Sequence, residues 1–239
     1  MSFETTPFES LSEQQIFSYK LPDGKLHLFN NIVCPFGQRS LWTAVEVKAP
    51  FHVIEVSLSD MPAAYIEQFN RYATVPFLLS NGYSIYESAI IAQYFDTKYG
   101  GGELFRHNDP EEATLAQLAA AKFEVGAFYG VLRNPSESNL AELKDTLDEV
   151  EKIYRENAAA YRSKGPYLLG NKLSSAEILT VPFLFRFDIL LKHYHNHDLL
   201  DGYPLLKAAL EASKTRPAFQ ETIREPQLYI DVYAKYVEK

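Results

Sequence analysis

The chain has 239 residues, room for one large domain or two small ones, and its 46% hydrophobic and 23% charged residues are the balance of an ordinary globular protein. A formal net charge of -8 provides no basic stripe to displace counterions, which argues against a nucleic-acid partner and against docking on anionic lipid. No apolar run is long enough to span a bilayer, so no stable membrane insertion is expected. The stretch Met1-Ser2-Phe3-Glu4-Thr5-Thr6-Pro7 lacks the basic start and apolar core of a secretory signal, and one lone cysteine fits a reducing compartment. The expected location is cytoplasmic.

Residues 1–24 read as a polar, loosely structured N-terminal extension that ends at the turn Leu21-Pro22-Asp23-Gly24. Lys25-Leu26-His27-Leu28-Phe29-Asn30 then alternates as a half-buried strand. Next comes Val33-Cys34-Pro35-Phe36-Gly37-Gln38-Arg39, and Ser40 to Val47 reads as helix. Pro35 fits the first helical position, where its missing N–H costs nothing. Cys34 is then the N-cap, with backbone N–H groups and the positive end of the helix dipole beside its sulfur. Such an environment favours thiolate and lowers cysteine pKa values to about 3.5–7.5. The competing reading is a small apolar residue buried at a strand–helix junction; Pro35, Gln38 and Arg39 weigh against it. Gly37 holds the position that the partner of a CxxC pair would take. With a single cysteine, any redox chemistry is therefore monothiol and needs an external thiol to complete the cycle.

Phe51 to Val56 alternates as a second strand, which makes a βαβ unit with a parallel pair, and Met61 to Ile66 reads as a short helix or turn. Ala73 to Leu79, the turn Ser80-Asn81-Gly82 and Tyr83 to Tyr86 form an antiparallel hairpin, with Pro76 just ahead of its first strand. Glu87-Ser88 opens the next helix. On local chemistry alone the pair reads first as a cap and second as an anion site at a helix N-terminus. After Gly100-Gly101-Gly102 the period changes to 3.6. One helix runs from the Asp109-Pro110 start to about Arg133, a second carries Leu140 to Tyr154 and ends at Gly165-Pro166, and a third runs from the capping box Ser174-Ser175-Ala176-Glu177 to about Tyr194. Shorter helices follow over Pro204 to Lys214 and from Pro217. The expected organisation is an α/β domain over 25–102 followed by an all-helical domain over 103–239. Tyr129, Phe183 and Phe185 are candidates for an acceptor pocket, weighed against ordinary core. His193, His195 and His197 suggest a metal, but the middle one points elsewhere on a helix, and cations at a helix C-terminus explain them better; no metal is expected.

These residues together resemble the cytosolic glutathione transferases, most of all the omega-class, cysteine-type members. The carriers are Cys34-Pro35-Phe36-Gly37-Gln38-Arg39, Val75-Pro76, Tyr86-Glu87-Ser88-Ala89-Ile90, the box from Ser174 to Glu177, and Arg216-Pro217-Ala218-Phe219. The resemblance runs from about Lys25 to Phe219. It implies a thioredoxin-like N-terminal domain, an all-helical C-terminal domain, a cis Val75–Pro76 bond, a homodimer, and glutathione as co-substrate. Cys34 is then the catalytic residue, and Phe36, Val75, Pro76, Glu87 and Ser88 bind glutathione. Glu87 would pair its ammonium, Ser88 and the helix start its γ-glutamyl carboxylate, and the Val75 backbone its cysteinyl unit. Two departures stand out: Met61 occupies the place of the lysine that reaches the glycine carboxylate, and Glu177 stands where an aspartate is usual.

The activity implied is glutathione-dependent thiol transfer or reduction, covering deglutathionylation and dehydroascorbate reduction. Its substrate is a small disulfide or electrophilic molecule. The alternatives are conjugation of glutathione to electrophiles with Cys34 as bystander, a protein like the chloride intracellular channels, or a non-enzymatic ligand carrier. The channel proteins share the Cys-Pro-Phe start but typically lack the pair kept here as Glu87-Ser88.

Overall fold

The computed structural model describes residues 3–237; Met1 and Ser2, the head of the N-terminal extension, and Glu238 and Lys239 lie outside the described residues. The chain divides into two compact units, one reaching to Gly101 and including Glu221–Ile223, the other running from Gly102 to Gln220 and from Arg224 onward.

The first unit is built on a five-stranded mixed sheet. Its strands are β1 (Glu4–Pro7), β2 (Leu26–Asn30), β3 (His52–Glu55), β4 (Phe77–Ser80) and β5 (Tyr83–Tyr86), in the order β1-β3-β2-β4-β5. The helices are α1 (Glu13–Ser18), α2 (Pro35–Glu46), α3 (Ala63–Gln68) and α4 (Ser88–Tyr99). β3 runs parallel to both β1 and β2, while β4 is antiparallel to β2 and to β5. This is a thioredoxin-like sheet, with the expected βαβ unit and hairpin. Asn81 and Gly82 both take positive φ (49° and 87°), the two-residue turn that matches strand twist.

Alternation along β2 sorts its side chains between the two faces. Leu26 and Leu28 join Leu41 of α2 and Ile91 and Phe95 of α4 in one cluster. Phe29 joins Ile54, Tyr65 of α3 and Phe77 in the other. Each such large apolar side chain, once buried, contributes about 1.5–3 kcal/mol to the driving force for this packing.

The N-terminal extension departs from the loose lead-in expected. β1 pairs in register with β3, from Glu4 opposite His52 to Pro7 opposite Glu55. Phe8 is 2% exposed and sets its ring edge on Tyr65 and Phe69, and α1 opens with a reciprocal Ser12–Gln15 capping box. An edge strand needs a partner along only one side, so three polar residues and a proline suffice and leave no hydrophobic alternation to read.

The second unit is all-helical: α5 (Pro110–Ala121), α6 (Val125–Arg133), α7 (Glu137–Lys152), α8 (Ala159–Arg162), α9 (Ser175–His195), α10 (Pro204–Lys214), α11 (Pro217–Glu221, reaching into the 221–223 segment) and α12 (Pro226–Tyr233). α9 is its axis, packed by α5, α6, α10 and α12. Glu151, itself buried, accepts from the Leu205 and Leu206 N–H groups at 3.1 and 3.0 Å and so anchors the start of α10. The single helix expected from Asp109 to Arg133 is two. α5 stops at a C-cap on Lys122, and the break turns the buried Phe123 onto Phe128, with ring centroids 4.8 Å apart.

Candidate active site

The loop between β2 and α2 is tied down at every residue. The Asn30 carbonyl accepts from Val56 N–H at 2.8 Å, and Asn31 Nδ2 donates to the Val56 carbonyl at 2.8 Å. Ile32 N–H donates to Glu55 Oε1 at 2.9 Å and Val33 N–H to Asn31 Oδ1 at 3.1 Å. Cys34 N–H closes the turn on the Asn31 carbonyl at 3.0 Å. Cys34 then takes extended geometry (φ -77°, ψ 123°) as the N-cap of α2, with Pro35 in the first turn.

Two details differ from the sequence reading. The Cys34 side chain makes no capping hydrogen bond, and the residue is only 9% exposed. Gln38 and Arg39 do not keep this helix start wet. Gln38 is 1% exposed and donates through Nε2 to Thr222 Oγ1 at 2.9 Å, inside the same unit. Polar side chains at a helix start can be buried when partners from distant sequence satisfy them.

Beneath the loop, Asn30 is 1% exposed, and neither its Nδ2 nor its Oδ1 has a partner among the described residues. A Cβ built on Gly37 would collide with Asn30 Oδ1, so glycine is required there by close approach.

The Val75–Pro76 bond is cis. The loop before it is braced by its neighbours: the Thr74 carbonyl accepts from Tyr65 Oη at 2.6 Å and from Asn70 Nδ2 at 2.9 Å. Val75 itself is 7% exposed, and its N–H and carbonyl make no hydrogen bond to another described residue. Buried backbone groups are nearly always paired, so this open pair is a ready seat for an extended peptide.

Glu87 is the N-cap of α4 with φ 72° and ψ 117°, an unusual conformation for a non-glycine residue that costs on the order of 1–3 kcal/mol and concentrates at ligand clamps. The turn leaves its carboxylate exposed, while Ser88 is buried. α2 and α4 start side by side. Arg39 Nη1 donates to Ser88 Oγ at 3.2 Å, and Ser40 Oγ donates to the Ser88 carbonyl at 3.2 Å. The Arg39 guanidinium lies 5.2 Å from the centroid of the half-buried Phe36 ring. Burial pulls Arg39 down to about 10, opposed by its attraction to Cys34. Arg39 and Ser40 thus tie the helix that Cys34 caps to the buried serine and exposed carboxylate that open α4.

Residues 28–103 match the N-terminal domain of the glutathione S-transferases, and residues 116–222 match their C-terminal domain. The chain belongs to the glutathione S-transferase family. Protein IN2-1 homolog B of Oryza sativa subsp. japonica is 30% identical over 216 residues, covering 87% of this chain and 84% of that relative. Glutathione S-transferase DHAR3, chloroplastic, of Arabidopsis thaliana is 26% identical over 81% of this chain and 70% of that relative. Among solved structures, the Leishmania protein TDR1, described as a trimeric glutathione transferase, superposes with a TM-score of 0.82 at 28% identity. That match covers 89% of this chain, which spans about half (49%) of TDR1. Glutathione transferase Omega 3C of Trametes versicolor shares the fold, with a TM-score of 0.74 at 22% identity over 93% of this chain and 94% of that one.

Glutathione is therefore the co-substrate, and the remaining candidates can be placed against it. Met61 is half-buried on the cluster around Tyr65 and Phe29 and offers no charge to a glycine carboxylate. Arg71 is exposed, donates to Tyr72 Oη at 2.9 Å and lies over the Tyr72 ring. Phe183 and Phe185 are buried core side chains. They are 0% and 7% exposed, Phe183 against Phe123 and Phe185 edge-on to Phe219 and Tyr229. Tyr129 is half-buried among Phe187, Tyr233 and Tyr236. His195 Nε2 donates to the Leu132 carbonyl at 2.9 Å, and no group of three metal-ligating side chains converges among the described residues. None of their helices is long and apolar enough to cross a membrane. Sequence reasoning missed the bridging role of Arg39: its partner Ser88 is 49 residues away, and no local pattern announces the pair.

Proposed function

We propose that this transferase is a glutathione-dependent thiol transferase and reductase of omega-like type with Cys34 as its nucleophile. The observation that carries the reading is a sulfur on the N-cap of α2, the helix whose Arg39 is bonded to the serine at the start of α4. Cys34 thiolate attacks the glutathionyl sulfur of a mixed disulfide, the S–S bond breaks, and the partner leaves as thiolate and takes a proton. A second glutathione thiolate attacks the Cys34–glutathione disulfide, which releases oxidised glutathione and regenerates Cys34. For dehydroascorbate, two glutathiones supply the two electrons and two protons through the same mixed disulfide. DHAR3, whose name denotes a glutathione S-transferase, is among the relatives, and the Val75 backbone is open for the cysteinyl unit of glutathione. Pro76 and Phe36 shape that seat, Glu87 pairs the ammonium, and Ser88 with the α4 start takes the γ-glutamyl carboxylate.

The same reading includes a homodimer and a cytoplasmic location, testable by light scattering and by imaging of a tagged chain. The deciding experiment is side-by-side turnover of a glutathione mixed disulfide, dehydroascorbate and a chlorinated aromatic. The first two should turn over in glutathione-dependent fashion. Turnover of the aromatic alone would replace the proposal with conjugation.

A further inference from the structure

We infer that Arg39 is a positioning residue that links the charge state of Cys34 to the seat of the γ-glutamyl carboxylate. The inference deepens the proposed function and rests on Cys34 being its nucleophile.

Arg39 is one and a half turns into α2, on the element that Cys34 caps, and its guanidinium is half-buried over Phe36. Attraction between the guanidinium and Cys34 favours the cation and, being mutual, the thiolate. A planar guanidinium has several donors in fixed directions, so one group can donate to Ser88 Oγ and still present charge to the sulfur. The Ser40 bond to the Ser88 carbonyl holds the two helix starts together, which fixes the distance that Arg39 must span. Two acids stand near these helix starts. Glu55 of β3 is held on Ile32 N–H, and Glu87 is at the head of α4. Neither can stabilise a thiolate.

Two consequences follow. Removing the charge raises the pH at which Cys34 reacts, and removing the Ser88 contact loosens the carboxylate seat. One residue therefore moves two separable readouts, which simple packing would not do.

The test uses the full chain, whose single cysteine makes alkylation by iodoacetamide a one-site measurement. Arg39→Met should move the midpoint of the rate–pH profile upward by about one pH unit, an approximately tenfold slower reaction below the midpoint. It should also weaken glutathione binding several-fold in calorimetry. Arg39→Lys should restore the alkylation profile but not the affinity, because an ammonium keeps the charge and loses the fork. Ser88→Ala, which leaves Arg39 in place, should weaken glutathione binding while moving the midpoint by less than about half a unit. If Arg39→Met fails to fold, Arg39→Lys and Ser88→Ala still have to split the two readouts. An unchanged alkylation profile in Arg39→Met, or an affinity that Arg39→Lys fully restores, overturns the linkage. Absence of reductase turnover in wild type, with the alkylation shift intact, would remove the proposed function and leave the electrostatic coupling standing.

Discussion

Two helix starts in this molecule solve the same local problem in opposite ways. At α9, Ser174 and Glu177 close a reciprocal box: Glu177 Oε2 accepts from Ser174 N–H at 3.1 Å and from its hydroxyl at 2.9 Å, and the Ser174 hydroxyl accepts from Ala176 N–H. The second oxygen of Glu177 accepts from Leu168 N–H at 2.8 Å and Tyr154 Oη at 2.7 Å. Both capping residues are fully buried and their polar capacity is spent inside the unit. At α2 the cap is a cysteine that makes no side-chain capping bond, and a proline removes one of the N–H groups. The first arrangement holds a fold together. The second directs the positive end of a helix at a sulfur, and in the proposed chemistry that is its use.

The largest effect should come from exchanging the caps. Serine is a far better N-cap than cysteine, so Cys34→Ser should keep or slightly raise stability, by at most about 1 kcal/mol. It should abolish disulfide and dehydroascorbate reduction. Wild type mixed with oxidised glutathione should gain one glutathione in mass spectrometry and the variant none, while conjugation of an electrophile persists or rises. Reductase turnover surviving in Cys34→Ser would make the two helix starts equivalent.

Next comes the structural cap. Glu177→Ala strands four buried donors and should cost about 3–5 kcal/mol in denaturant unfolding. Burial raises the Glu177 carboxyl above its ordinary range, against the hydrogen bonds from Leu168, Tyr154 and Ser174. An acid held high binds more protons folded than unfolded, so its contribution falls as pH rises from the ordinary carboxylate range through the raised value. The stability difference between wild type and Glu177→Gln should shrink over that window. A difference that is flat with pH would mean Glu177 titrates normally.

A smaller effect is expected at the ligand clamp. Glu87→Gln removes the charge that pairs the glutathione ammonium in the proposed seat and should weaken binding by about 2 kcal/mol, roughly thirtyfold, with the Cys34 alkylation profile unmoved. Calorimetry that shows unchanged affinity would take Glu87 out of the site. Smallest is Met61→Lys. A partly exposed ion pair to the glycine carboxylate adds at most about 1 kcal/mol, and the half-buried Met61 packing is lost in exchange. A gain of a few-fold at low salt is expected; none would indicate that Arg71 or another group already serves that carboxylate.

What was legible in the sequence was whatever local chemistry enforces. Alternation gave β2 and the hairpin, Pro35 gave the start of α2, Pro204 that of α10, and the Ser174–Glu177 spacing that of α9. Pairings across long separations were not legible. β1 reveals itself only beside His52, Gln38 only beside Thr222 at a separation of 184 residues, and Arg39 only beside Ser88. The break between α5 and α6 was hidden because helical period continues across it. At the site, residue types were readable but exposure was not: Cys34, Val75 and Ser88 are all nearly covered, and Glu87 alone of the seat is open.

The buried carboxamide of Asn30 under the Cys34 loop limits where this enzyme can go next. A dithiol site is one codon away on paper, through Gly37→Cys. In the folded chain that side chain has nowhere to begin, since Asn30 already fills the volume of its first carbon. Shortening Asn30 alone would leave a hole and no second sulfur. In the proposed chemistry, moving from exchange with an outside thiol to an internal disulfide thus takes two simultaneous changes, each unfavourable without the other, and dependence on the surrounding thiol pool would be fixed by packing as much as by the count of cysteines.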